Sequence, residues 1–213
     1  MKLKRSSIFS SKPEAETIRL TARDREWIFP RPTLIVGIIN VSPDSFSGDG
    51  VGNNPEAVLK QAERLAAEGA DMLDIGAVST RPGAEPIAEK EELERLFPAL
   101  EIIRDHSDLP ISVDTTNARV AERALRAGGD FINDISGLGR DPDMVHVIAR
   151  YSAGVIIMHS RGDSRTMHDM THYGDLVGDI GEELGERVER ARSAGIQDEH
   201  IVIDPGLDRK SVV

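Results

Sequence analysis

Cysteine is absent from the chain, which removes disulfides, thiolate catalysis and cysteine-held metals together. Positive charge is scarce: Lys and Arg number 26 against 37 Asp and Glu, a net charge of −11. The one cluster of basic residues is Lys2, Lys4 and Arg5. No nucleic acid partner is therefore expected, because binding to phosphate backbones rests on massed Lys and Arg. Long apolar runs are also missing, and no stretch approaches the roughly 20 residues that span a bilayer. No membrane association is expected either. The first residues lack the apolar core of a secretory signal, so a cytoplasmic location is expected. Aromatic residues make up only 4% of the chain, with a single tryptophan. What remains is ordinary for a globular protein: 213 residues, 39% apolar and 30% charged, enough for one domain with a sizeable core.

Residues 1–16 are polar and read as a flexible leader. Thr17 to Leu20 and Glu26 to Phe29 read as short strands around a turn, with Trp27 packing into a core. A strict alternation follows. Apolar strands are predicted over 34–40, 72–75, 111–114, 131–133, 155–158 and 201–203. Helical spacing occupies 55–69, 89–106, 117–127, 142–151 and 175–194. Strands that are apolar throughout, each joined to the next by a helix, imply a parallel α/β sheet buried on both faces. A doubly wound sheet and a TIM barrel both satisfy this pattern. The barrel is favoured because polar residues mark nearly every strand end: Asn40, Asp74, Asp114, Asn133-Asp134, His159 and Asp204. In a barrel those ends share one mouth. No G-x-G-x-x-G follows the first strand of the series, which weighs against a dinucleotide site.

Three groups of residues carry candidate chemistry. Asn40 ends a strand and opens the run Asn-Val-Ser-Pro-Asp-Ser-Phe-Ser. A strand-end Asn is often a turn former, yet its amide oxygen can ligate Mg²⁺ or orient a diphosphate. The Gly-rich loop 44–50 carries Phe46, which could cover an aromatic substrate. Ser79-Thr80-Arg81-Pro82-Gly83 joins hydroxyls to a guanidinium, a combination suited to phosphate oxygens, although Pro-Gly also makes plain surface turns. Asp114, Asn133 and Asp204 form the third group. A carboxylate accepts two parallel N–H donors of an amino-pyrimidinone ring, and a metal–carboxylate site is the competing reading. His168 and His172 have the four-residue spacing of helical metal ligands but lie in a segment that reads as a loop.

From about Thr17 to Gly206 the chain closely resembles dihydropteroate synthases. The resemblance rests on NVSPDSFS at 40–47, GADMLDIG at 69–76, STRPG at 79–83, ISVDT at 111–115, FINDISG at 131–137, IIMHSRG at 156–162 and VIDPG at 202–206. It implies a TIM (β/α)8 barrel with about six of its eight βα units within residues 17–207. It implies a reaction in which 4-aminobenzoate displaces diphosphate from a dihydropterin methyl diphosphate. By this resemblance Asn40 is the Mg²⁺ and diphosphate position. Thr80 and Arg81 contact the diphosphate, Asp114, Asn133 and Asp204 bind the pterin, and Met158 lines the pocket. The implied cofactor is Mg²⁺, and the full-length protein is expected to form a homodimer.

The family's C-terminal Lys, Ser-Arg-Lys and Arg-x-His elements have no counterpart here. Residues 208–213 break the pattern and read as a non-native tail, so the chain by itself is expected to be inactive. Two other readings stay open: a pterin-binding methyltransferase domain, which has no use for a diphosphate clamp, and a non-catalytic pterin-binding relative.

Overall fold

The computed structural model describes residues 17–30, 33–42, 54–78, 87–162 and 166–207. The leader 1–16, the loop with Phe46, the segment with Thr80 and Arg81, and the tail 208–213 lie outside the described residues. Strands β1 (Ile18–Ala22) and β2 (Arg25–Phe29) form an antiparallel hairpin. Six further strands follow: β3 (Val36–Asn40), β4 (Met72–Gly76), β5 (Ile111–Asp114), β6 (Phe131–Asp134), β7 (Gly154–Met158) and β8 (Ile201–Asp204). They pair in parallel, in chain order from β3 to β8. Helices α1 (Pro55–Ala67), α2 (Glu89–His106), α3 (Ala118–Arg126), α4 (Met144–Tyr151) and α5 (Leu176–Ser193) fill the crossovers.

Helix starts follow from local chemistry. The Asn54 side chain accepts the N–H groups of Glu56 and Ala57, and Pro55 occupies the first helical turn, where its missing N–H costs nothing. Asn117 caps α3 and Asp175 caps α5 in the same way. Helix α2 runs through Pro98, held by the buried stripe Leu93, Leu96, Leu100 and Ile103.

The strand order decides between the two architectures. A doubly wound sheet reverses its order at a switch point, whereas this one never does. Right-handed crossovers in unbroken order place every helix on one face, which is the single winding of a TIM-barrel wall. Two apolar clusters confirm the two faces. Ile39, Leu73, Ile75, Ile111, Val113, Ile132, Val155 and Ile157 pack with the helices. Their strand neighbours Met72, Phe131, Ile156 and Val202 form a second cluster with Leu20, Ala22, Trp27 and Phe29 of the hairpin. The hairpin therefore plugs the end of the wall where the strands begin. Trp27 packs there on Phe131, with ring centroids 5.6 Å apart.

Asp130 ties the hairpin down. Its buried carboxylate accepts from the Ile111 N–H, from Arg25 Nε and from Arg104 Nη2. Strands β3 and β8 are the two edges of the sheet and do not pair with one another. Apolar side chains stay open on both: Ile38 is 37% exposed and Ile203 56%.

Candidate functional site

Ladder register places the site residues on one face. Asn40 pairs with Gly76, Gly76 with Asp114, and Asp114 with Asn133. Asn133 continues to Ile156, and Met158 pairs with Asp204 one step further along β7 and β8. Registered neighbours in a parallel sheet share a face, and so do residues two apart along a strand. Asn40, Asp114, Asn133, Met158 and Asp204 thus all stand on the face away from the helices, at the ends where the strands finish. All five are partly buried. The predicted Thr80 and Arg81 lie outside the described residues, after β4 in the chain.

Each strand tip is locally fixed. The Ser42 N–H donates to Asn40 Oδ1 at 2.9 Å, and the Gly206 N–H donates to Asp204 Oδ1 at 2.8 Å. Gly206 has φ +74°, and a Cβ there would sit 2.4 Å from the His159 carbonyl oxygen, so the turn after Asp204 requires glycine. Across β4 and β5, a Cβ on Gly76 would lie 3.4 Å from Asp114 Oδ2. The Asp114 carboxylate therefore leans over the bare backbone of Gly76, and the small residue keeps the rim open there.

Several strand-end readings need correction. Asp74 is not at a tip: β4 continues through Ile75 and Gly76, and Asp74 is buried in mid-strand on the site face. Its Oδ2 accepts from Asn133 Nδ2 at 3.2 Å. Asp134 faces the helices instead, accepting from the Ser136 N–H and hydroxyl and from the Leu138 N–H. Burial holds its carboxyl above the usual range, although those bonds pull the other way. His159 also turns from the mouth. Its Nε2 meets Glu183 Oε2 at 3.0 Å, beside Tyr173. Arg161 shares the Glu183 carboxylate, and this bond is the chief reason that carboxyl titrates low.

Two supports were not foreseen. Arg187 of α5 donates to the carbonyls of Met158 and Ser160, bracing the tip of β7. Glu92 of α2 is buried and accepts the Thr115 hydroxyl, directly after Asp114. Burial raises the Glu92 carboxyl above its usual range. Strand parity would have exposed Asp74 from the sequence, because it is two residues before Gly76. Arg187 gave no local signal.

A Mg²⁺ ion fits the residues present in one limited way. Asn40 Oδ1 is a hard oxygen donor with one lone pair engaged by Ser42 and a second to offer. No group of three His, Asp or Glu able to hold a metal occurs among the described residues. A cation at Asn40 would depend on substrate phosphate and water for its other ligands, as Mg²⁺ commonly does. The His168 side chain lies outside the described residues.

Comparisons with known proteins show the family and the fold. The profile of the family described as pterin binding enzyme matches residues 36–211. The dihydropteroate synthase of Synechocystis sp. is 45% identical over 175 residues, covering 82% of this chain and 61% of that protein. That of Clostridium beijerinckii is 40% identical over 183 residues, covering 86% and 65%. The chain thus spans less than two thirds of these relatives. The crystal structure of Yersinia pestis dihydropteroate synthase with a sulfonamide drug complex superposes with a TM-score of 0.83 at 39% identity, over 89% of this chain and 68% of that one. The Burkholderia cenocepacia enzyme complexed with 7,8-dihydropteroate gives 0.74 at 38% identity, over 89% and 63%.

Proposed function

This chain belongs to the pterin-binding enzyme family, and on that premise we propose that it acts as a dihydropteroate synthase. The substrates are a (7,8-dihydropterin-6-yl)methyl diphosphate and 4-aminobenzoate; the products are 7,8-dihydropteroate and diphosphate. The observation that carries the reading is the shared face of Asp114, Asn133, Met158 and Asp204 at the strand ends. Two carboxylates and an amide suit the amino-pyrimidinone edge of a pterin, which offers N–H donors in a row. Met158 supplies an apolar wall for the ring.

The chemistry follows from charge. The C–O bond to diphosphate breaks as the aromatic amine forms its C–N bond to the methylene, and the amine then loses a proton to solvent. Positive charge spreads over the pterin during cleavage. Asp114 and Asp204 oppose it with fixed negative charge in a site partly closed to water. Thr80 and Arg81 hold the departing diphosphate. Asn40 would hold a Mg²⁺ ion together with the diphosphate, and such an ion would supply charge neutralisation of the leaving group. A place in folate synthesis, a cytoplasmic location and a homodimeric assembly belong to the same proposal.

Isothermal titration with the pterin diphosphate, bare 6-hydroxymethylpterin and 5-methyltetrahydrofolate tests this. The synthase reading requires the diphosphate to bind best. Arg81→Ala should remove most of the preference for the diphosphate over the bare pterin, a loss of about 1.5–3 kcal/mol for a charge-assisted contact. Tighter binding of the methyl-folate would move the chain to the methyltransferase reading. Equal losses for both pterins would make Arg81 structural.

A further inference from the structure

The Asn133 amide has a defined polarity that its own strand does not set. Its Nδ2 donates to Asp74 Oδ2 at 3.2 Å, reaching from β6 past β5 to β4. An ionised carboxylate only accepts hydrogen bonds. With Asp74 ionised, the nitrogen faces it, and this bond sets the otherwise ambiguous order of amide N and O. Asp74 is 7% exposed and stands on the site face, one register step below the Gly76–Asp114–Asn133 row. Ser112 of β5 lies between the two strands in the same register as Asp74 and is fully buried. Asp74 therefore meets the Asn133 row above it through this bond.

We propose that Asp74 is a specificity-determining positioning residue: it locks the Asn133 amide so that the pocket presents one donor–acceptor order to the ligand ring. The proposal rests on the pterin-binding reading above. With Nδ2 committed to Asp74, the oxygen of Asn133 is held toward the ligand beside the Asp114 carboxylate. The pocket then offers adjacent acceptors, which suits a ring edge carrying an amino group and a ring N–H. A ring with an oxo group in place of that amino group meets acceptor against acceptor. A flipped amide would lose this discrimination. Apolar walls cannot supply it, because amino and oxo rings have nearly the same shape.

The test uses Asp74→Asn, which keeps size and shape. An amide at position 74 offers a donor as well as an acceptor, so the Asn133 amide can sit either way round. Two readouts apply. The first needs no ligand: the side-chain ¹H–¹⁵N resonances of Asn133 in the free chain. They should lie at the shift of a carboxylate-bonded amide in wild type and move or broaden in Asp74→Asn. The second is the ratio of affinities for pterin and lumazine, the same ring with 2-amino replaced by 2-oxo. Wild type should prefer pterin, and Asp74→Asn should shrink the preference about tenfold, the worth of one hydrogen bond of about 1.4 kcal/mol. In an Asn133→Ala background Asp74→Asn should leave the ratio unchanged, since Asp74 acts through Asn133. Equal losses for both rings, or a ratio change that persists in Asn133→Ala, would overturn the proposal. So would Asn133 resonances indifferent to Asp74→Asn. A wild-type chain that binds neither ring would refute the pterin-binding reading, while the resonances would still decide whether Asp74 holds Asn133.

Discussion

Replacing Gly154 by alanine should damage the fold far more than one methyl group suggests. Gly154 opens β7, on the inner face, in register with Phe131 of β6. Its backbone is unstrained for alanine, so the effect is purely one of space. An added Cβ would stand 2.1 Å from Phe131 Cε1 and 2.2 Å from Cδ1. Carbon atoms prefer about 3.5–4.0 Å, so the ring must retreat by roughly 1.5 Å. It has nowhere to go, being 1% exposed and packed on Trp27 and the hairpin. Overpacking a tight core costs about 1–3 kcal/mol, and this site belongs at the upper end. A loss of about 3 kcal/mol lowers the melting temperature by roughly 6–12 °C for a chain of this size. Thermal melts and urea titrations followed by fluorescence would read it, with the single tryptophan, Trp27, reporting the hairpin directly. Emission should shift to the red as the hairpin loosens. Adding Phe131→Leu should restore part of the loss, because the smaller side chain vacates the space. The reasoning fails if Gly154→Ala stays within about 0.5 kcal/mol with unchanged emission, or if the two substitutions simply add.

Asp130→Ala should cost about 3–5 kcal/mol in urea unfolding, because it leaves the Arg25 and Arg104 guanidinium groups and the Ile111 N–H without their acceptor; a loss under 1 kcal/mol would show that water replaces the carboxylate easily. Glu92 has a carboxyl raised above 4.5, chiefly by burial, so the folded state takes up its proton before the unfolded state does. Its contribution to stability therefore improves as pH falls from the raised folded value towards 4.5, and Glu92→Gln should be at least as stable as wild type at pH 7, with the difference narrowing across that window; a difference constant with pH would refute the sign. Arg187→Met should leave the carbonyls of Met158 and Ser160 without their guanidinium and speed amide exchange along β7 and the turn after it; exchange confined to α5 would show that the brace does not act on the strand.

Periodicity carried most of the architecture. The strand 111–114 and the helix 89–106 have the bounds read from the residues, and other elements moved by one or two positions, α3 and α5 because the caps Asn117 and Asp175 lie outside the regular helix. These features are local, repeating every two or 3.6 residues. The barrel reading was right for an indirect reason. Polar strand ends suggested a common mouth, but the order of pairing settles the matter, and pairing is a long-range property. The hairpin showed as two strands around a turn. Its role as a plug depends on Met72, Phe131, Ile156 and Val202, contributed by four other strands, and no local pattern could announce that.

Site legibility divides along the same line. Asn40, Asp114, Asn133 and Asp204 were visible because each is a polar residue ending an apolar run, where the hydrophobic pattern leaves no other reason for it. Asp74, Asp134 and His159 looked the same by that criterion and proved different. The missing variable was parity. Within β6, Asn133 stands on the site face and Asp134, one residue later, faces the helices; one step along a strand exchanges the candidate site for loop anchoring. Asp74 failed in the opposite sense: it is on the correct face but too deep to reach the rim. Composition cannot distinguish these cases, whereas the register of the neighbouring strands does so at once. The same register explains why a carboxylate below the rim matters. On the proposal above, an amide bound by nothing beneath it presents either end to a ligand, and that freedom would weaken the discrimination between an amino and an oxo group.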